Sequence, residues 1–301
     1  MTAEIELGRI LLAVAGTALA AYQDARTSFI DEKLTYFMIA AGIIASLATM
    51  DVGIITYALG GGLLIFGIGY ALYRAGQVGG GDVLLFTGIF LLIPLRPTEF
   101  ATPLLGAAFT TMRVSQVELF QALLAAIPFF LSVFTATGFF SLFGSALFYA
   151  TAVLERTPKP ETGRGAIALA FSLAILGWMY ANGTSTAQLL FFVAVLAPTV
   201  FLIAFRRQIM DEIVVANMPL SKIEDEDVLV TDRMNQRIVK KYKLGRVLTK
   251  SEVEKLKLVQ KKEGIRAFPI AKVLPRLGPY ILLGLLATLL VGDLFAFFIA
   301  L

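Results

Sequence analysis

Apolar residues in this chain run in long blocks, broken by short polar or charged clusters. The blocks lie near residues 7–23, 34–50, 53–73, 82–95, 124–154, 166–181, 187–205 and 277–300. Most approach the roughly 20 apolar residues with which a helix crosses a hydrocarbon layer about 30 Å thick. They predict about eight transmembrane helices. The segment 96–123 interrupts the pattern with Arg96, Glu99, Arg113, Gln116 and Glu118. It reads as a surface helix or loop, or as one further span.

Polar residues dominate only over 206–275. There Ser251 and Glu254 have the spacing of a capping box, predicting a helix that runs to about Glu263. V-L-V-T near residue 228 and R-V-L-T near 246 predict short strands, and Pro269, Pro275 and Pro279 break the chain before the last span. The expected fold is an all-α integral membrane protein with a small α+β cytosolic insert before the last helix. It divides into a transmembrane core over 1–205, with its chemistry in 1–95, a basic insert over 206–275 and a terminal helix over 276–301. Gly60-Gly61-Gly62 falls mid-span with no acid attached, and close helix packing accounts for it.

Composition supports the membrane assignment. Of 301 residues, 57% are hydrophobic and 16% charged, against about 25% charged in soluble domains. The opening Glu4, Glu6 and Arg9 have the wrong charge for a cleavable signal peptide, so the first apolar run is expected to remain as a helix. There is no cysteine and no histidine. Cys/His and Ser/His/Asp catalysis, His-ligated zinc and iron–sulfur clusters are thereby excluded. Carboxylates, hydroxyls, Lys, Tyr or an oxygen-held metal are left to carry any hydrolytic chemistry. The expected site contains no metal and no cofactor.

Charge then orients the chain. Placing the loops after spans 1, 3, 5 and 7 in the cytoplasm puts 23 of the 26 Lys and Arg there, and leaves Arg9, Arg96 and Arg113 outside. Both termini are expected outside a multi-pass protein of the cell membrane. The basic insert suggests a solvated face or contact with anionic lipid or a substrate tail. Without aromatics interleaved among its basic residues it does not suggest nucleic acid. Trp178 and Tyr180 suit an interfacial aromatic belt.

Against this background two acids stand out. Asp24 ends the first span, about 22 Å of helix from Arg9. Asp82 opens the fourth, behind Gly79, Gly80 and Gly81, with only about 20 Å of helix before Arg96. The charge-derived topology puts both on the cytoplasmic side at similar depth. Two carboxyls sharing a partly dry site hold one proton between them. One can then activate water while the other polarises a carbonyl. The glycines would let an extended substrate backbone approach. Asp82 could also be a cap for its own helix. Asp24, at a helix C-terminus, has no such explanation. Asp31 and Glu32 suit the first turn of span 2, Asp51 an outside turn, and Asp293 the outer end of the last span.

G-G-G-D at 79–82 followed by V-L-L-F, with A-Y-Q-D-A-R at 21–26, resembles the archaeal type IV prepilin and preflagellin peptidases, membrane aspartyl proteases of the G-x-G-D class. The resemblance covers the first four spans. It implies Asp24 and Asp82 as the catalytic pair, Gly79 and Gly81 as motif glycines, and cleavage of prepilin- or archaellin-like precursors between a basic leader and an apolar helix at the cytoplasmic face. Ile30 is followed by Asp31-Glu32 where many relatives have Ile-Pro-Asn, and the zinc-binding cysteines of bacterial relatives are absent. Presenilin-like proteases share G-x-G-D, but no Pro-Ala-Leu occurs here. A transporter using the acids as a proton or cation relay, or a scaffold for pilus assembly, are the readings from other classes.

Overall fold

The computed structural model describes residues 3–97, 127–224, 227–272, 274–294 and 296–297. Most of the segment predicted to lie on the surface or to add a span falls outside them. Among the described residues seven long helices come first: α1 Ala3–Thr27, α2 Glu32–Leu47, α3 Val52–Arg74, α4 Gly80–Leu92, α5 Phe129–Leu154, α6 Thr162–Ala181 and α7 Thr186–Ala204. A helical turn at Arg206–Gln208 widens into a π-turn, Ile209–Val214, leading to β1 Val215–Pro219 and β2 Val228–Leu229. Then follow α8 Gln236–Tyr242, α9 Lys250–Glu263, β3 Ala267–Ala271 and α10 Gly278–Val291. Five of the eight expected spans, α1, α3, α5, α6 and α7, are long and apolar enough to cross a membrane. α4 and α10 are apolar but shorter, and α2 has 16 residues.

Several helix starts show why they lie where they do. Glu4 and Glu6 open α1 and Arg26 closes it, matching the helix dipole at both ends. Asp31 caps α2 by accepting from the Lys33 amide, as its position predicts. Asp51 caps α3, accepting from Gly53 and Ile54. Ser185 and Gln188 make a reciprocal capping box on α7 that the sequence reading did not identify.

α4 is the buried centre of the bundle, with Val83 and every residue from Leu85 to Leu92 inside. Small residues let its neighbours approach. A Cβ on Gly42 of α2 would lie 2.7 Å from the Leu91 carbonyl carbon, and one on Gly88 would lie 3.0 Å from Met38 Cβ. On α3, Gly61 meets the Phe90 ring and Gly62 meets Leu91, while Gly60 faces open space. The packing explanation for that triplet therefore applies to two of its three glycines. Phe86 and Phe90 meet Phe130 of α5 edge-on at 5.9 and 5.8 Å. Outward side chains such as Leu63, Leu64 and Phe171 are exposed and apolar, as lipid-facing residues are.

The short α4 needs its C-terminal carbonyls satisfied inside the bundle, and Arg9 does this. Its guanidinium donates to the Leu91 and Leu92 carbonyls at 3.1 and 2.7 Å and to Ser46 Oγ at 3.1 Å. Arg9 was assigned to the charges of an outer surface; in the structure it is buried. Asp293, also buried, accepts from the Ala296 amide at 2.7 Å.

The insert is a three-stranded antiparallel sheet in the order β1-β3-β2, closed over a core of Leu229, Leu248, Leu256, Val259, Phe268 and Ile270. β2 lies where a strand was expected. Near 246 only Val247 pairs, in an isolated bridge to Val228. Pro269, expected to break the chain, sits within β3 opposite Asn217. α9 ends at Glu263 as predicted, on a left-handed Gly264. Its capping box does not form. Thr249 is the N-cap residue, its hydroxyl bonds Ser251, and Glu254 pairs with Lys257.

Candidate active site

α1 runs towards the insert and α4 starts beside it, so Asp24 and Asp82 come to the same end of the bundle. Asp24 sits one turn before the end of α1, 7% exposed. Its Oδ2 accepts from the Gly278 amide at 2.8 Å, at the first residue of α10. An acid at the C-terminal end of its own helix is disfavoured. It is favoured at the N-terminal end of another, so Asp24 has the capping role that the sequence argument denied it. The partner lies 254 residues further along the chain, a distance that local patterns do not span.

Asp82 is the third residue of α4, and Gly79 is its N-cap. The carboxylate turns back and accepts from the Gly79 amide. This is the N3 half of a capping box, with a glycine in place of the usual Ser or Thr. Asp82 is half-buried and within electrostatic reach of Asp24. Each acid thus has a structural partner, and the charge of Asp24 also bears on Asp82. A carboxylate offers about four acceptor positions, so one backbone donor leaves capacity for water or an amide.

The three motif glycines meet protein atoms. A Cβ on Gly79 would lie 2.8 Å from Asp82 Oδ2, so the bare backbone makes room for the carboxylate itself. A Cβ on Gly80 would lie 3.3 Å from the Tyr73 ring, and one on Gly81 would lie 3.0 Å from Ile30 Cβ. Ile30 belongs to the buried core and enters α2 through the turn at Ser28 (φ 58°). Gln23 ties that turn down by accepting from the Asp31 amide at 3.1 Å. Two cavities, of about 570 Å³ beside Asp211 and Arg233 and of about 230 Å³ beside Arg9 and Arg96, are lined by neither acid.

Residues absent from the sequence reading complete the site. Arg276 donates through Nε to Ser28 Oγ at 3.1 Å and through Nη1 to the Ala25 carbonyl, and its charge also acts on Asp24. On the approach to α4, Gly76 (φ +67°) rests against the insert. A Cβ there would lie 3.1 Å from Arg246 Cβ and 3.5 Å from Val228 Cγ1. No local signal marks Arg276, Gly278 or Gly76, because each matters through a contact distant in sequence.

Residues 11–111 match the type IV leader peptidase family. The match contains Asp24, Asp82 and the three glycines, and stops well before α10. The chain is 31% identical over 134 residues to prepilin peptidase EppA of Methanothermobacter thermautotrophicus, covering 42% of this chain and 35% of that protein. It is 25% identical over 165 residues to the preflagellin peptidase of Methanococcus maripaludis, covering 54% of this chain and 65% of that protein. The chain thus spans about a third and just under two thirds of these two relatives. No solved structure matches it significantly.

Proposed function

We propose, from a chain whose residues 11–111 match the type IV leader peptidase family, that this protein is a membrane aspartic endopeptidase that removes the leader from prepilin- or archaellin-like precursors. One observation carries the reading. The two acids within the matched segment, set on separate helices, come to one end of the bundle with Asp24 within electrostatic reach of Asp82. A solely structural acid needs its capping donor and no second carboxylate beside it.

In this reading the ionised carboxyl takes a proton from water as the hydroxide adds to the scissile carbonyl carbon. The protonated carboxyl donates to the carbonyl oxygen. Collapse of the tetrahedral intermediate then breaks the C–N bond. The carboxyl that gained the water proton passes it to the leaving amine. A hydroxyl of the gem-diol returns a proton to the carboxylate that had donated one as the new carbonyl forms, so neither acid is consumed. The Asp24–Asp82 pair works as a unit, and Gly79, Gly80 and Gly81 set the geometry of the second acid. The excess of Lys and Arg on the insert side supports a cytoplasmic position for the acids, the side on which the basic leader of such a precursor would lie.

The test is cleavage of leader-bearing precursors by purified protein, with the new N-terminus mapped by mass. Asp24→Asn and Asp82→Asn should each reduce the rate by at least about 10³-fold with the fold retained. Normal processing by either variant would remove the paired-acid mechanism.

A further inference from the structure

We propose that Gly278 is a positioning residue for Asp24, and that Arg276 holds it in place. The start of the last helix thereby belongs to the working site. This rests on the aspartic peptidase reading and extends it to a part of the chain far beyond the family match.

α10 has no cap from its own N-cap residue, Leu277. Pro279, next in line, has no N–H. Among the first amides of α10, that of Gly278 reaches Asp24 Oδ2. Among the described residues no hydrogen bond reaches Asp24 Oδ1, so the amide fixes one oxygen and leaves the other for chemistry. Close approach is what requires glycine here. A Cβ at 278 would lie 2.9 Å from Asp24 Cβ, 3.0 Å from Oδ2 and 3.3 Å from Ala21 Cα. Any side chain would therefore push the carboxylate off its donor.

Two further contacts keep the donor in register. Arg276 straps the chain before α10 to the end of α1 through Ser28 and Ala25. Deeper in the bundle, Gly284 of α10 packs on Thr137 of α5, and Tyr280 packs on Gly144. α10 therefore cannot slide along α1 without breaking both contacts.

The experiment uses the full chain with Gly278→Ala, Arg276→Ala and Arg276→Lys. It measures kcat and KM on a leader-bearing precursor, together with the infrared carboxyl bands of Asp24, identified by subtracting the Asp24→Asn spectrum. Gly278→Ala should lower kcat about tenfold or more, as expected for loss of a hydrogen bond to a charged group. KM should stay within about twofold, and the Asp24 band should shift. An unchanged kcat and an unmoved band would overturn the proposal. Should Gly278→Ala fail to fold, the arginine pair decides. A fall in kcat for Arg276→Ala with recovery in Arg276→Lys supports the strap, and equal kcat in all three forms refutes it. If the parent protein cleaves no precursor, the peptidase reading falls. The infrared band then settles the positioning alone, a shift sustaining it and no shift ending it.

Discussion

At Gly79 a single missing side chain leaves room for the Asp82 carboxylate, whose Oδ2 would lie 2.8 Å from a Cβ there. Gly79→Ala should therefore displace the acid and lower cleavage about tenfold or more at little cost in stability. Parallel rate and melting measurements check this. Gly81→Val should behave differently. Its clash is with Ile30 in the core, so both melting temperature and rate should fall. Retained stability with lost turnover would restore direct substrate approach as the role of that glycine. Arg9→Met should cost about 2 kcal/mol or more, because the Leu91 and Leu92 carbonyls would lose a charged donor inside the bundle. The denaturant midpoint in detergent reports it. At this scale the sequence showed which acids were unusual but not what they touch. Asp24 and Asp82 could be picked out because membrane helices seldom hold acids. Arg9 looked like a surface charge because its partners are backbone carbonyls, which carry no sequence signal.

Among the elements, the long helices were legible because hydropathy and length suffice to specify them. Asp31 revealed its capping role through local spacing alone, whereas Asp51, expected only in a turn, proves to cap α3. β1 and β3 were not legible. Each is five residues long and carries a proline, and pairing across about fifty residues is what makes them strands. Where α7 enters the insert, Glu212 accepts from Lys159 at 3.0 Å and Gln208 at 3.2 Å, and these bonds hold its carboxyl below the usual range. A depressed folded value stabilises the junction above the unfolded carboxylate range and is lost as pH falls through the folded value. Loosening of the insert should therefore begin below about pH 4.5, and Glu212→Gln should flatten that dependence. Proteolysis at the α7–β1 junction across pH 3 to 6, intervals chosen to bracket about pH 4.5, measures it.

For the whole molecule, the insert touches the site through Arg246 and Val228 at the loop before α4, and Arg276, the residue that follows the insert, reaches the end of α1. The sequence marked 206–275 as a separate folded unit and gave no sign of this seating, because composition shows where a domain lies and not what it leans on. The chain has no cysteine, so an introduced pair is the sole disulfide possible. A Cβ at 76 lies 3.1 Å from Arg246 Cβ, slightly inside the about 3.5–4.5 Å of a disulfide. Gly76→Cys with Arg246→Cys should therefore cross-link on mild oxidation. Cleavage should stay within about threefold of the reduced form. Loss of activity on oxidation would show that the insert must lift away during turnover.

The bond between Asp24 and Gly278 also has a consequence in time. During synthesis both acids leave the ribosome early, while the amide that seats the first of them is made 254 residues later. A nascent chain already threaded through the bilayer would hold its two acids unassembled until the segment carrying Gly278 docks, so on the peptidase reading the fold itself supplies the delay that some proteases obtain from a removable pro-segment.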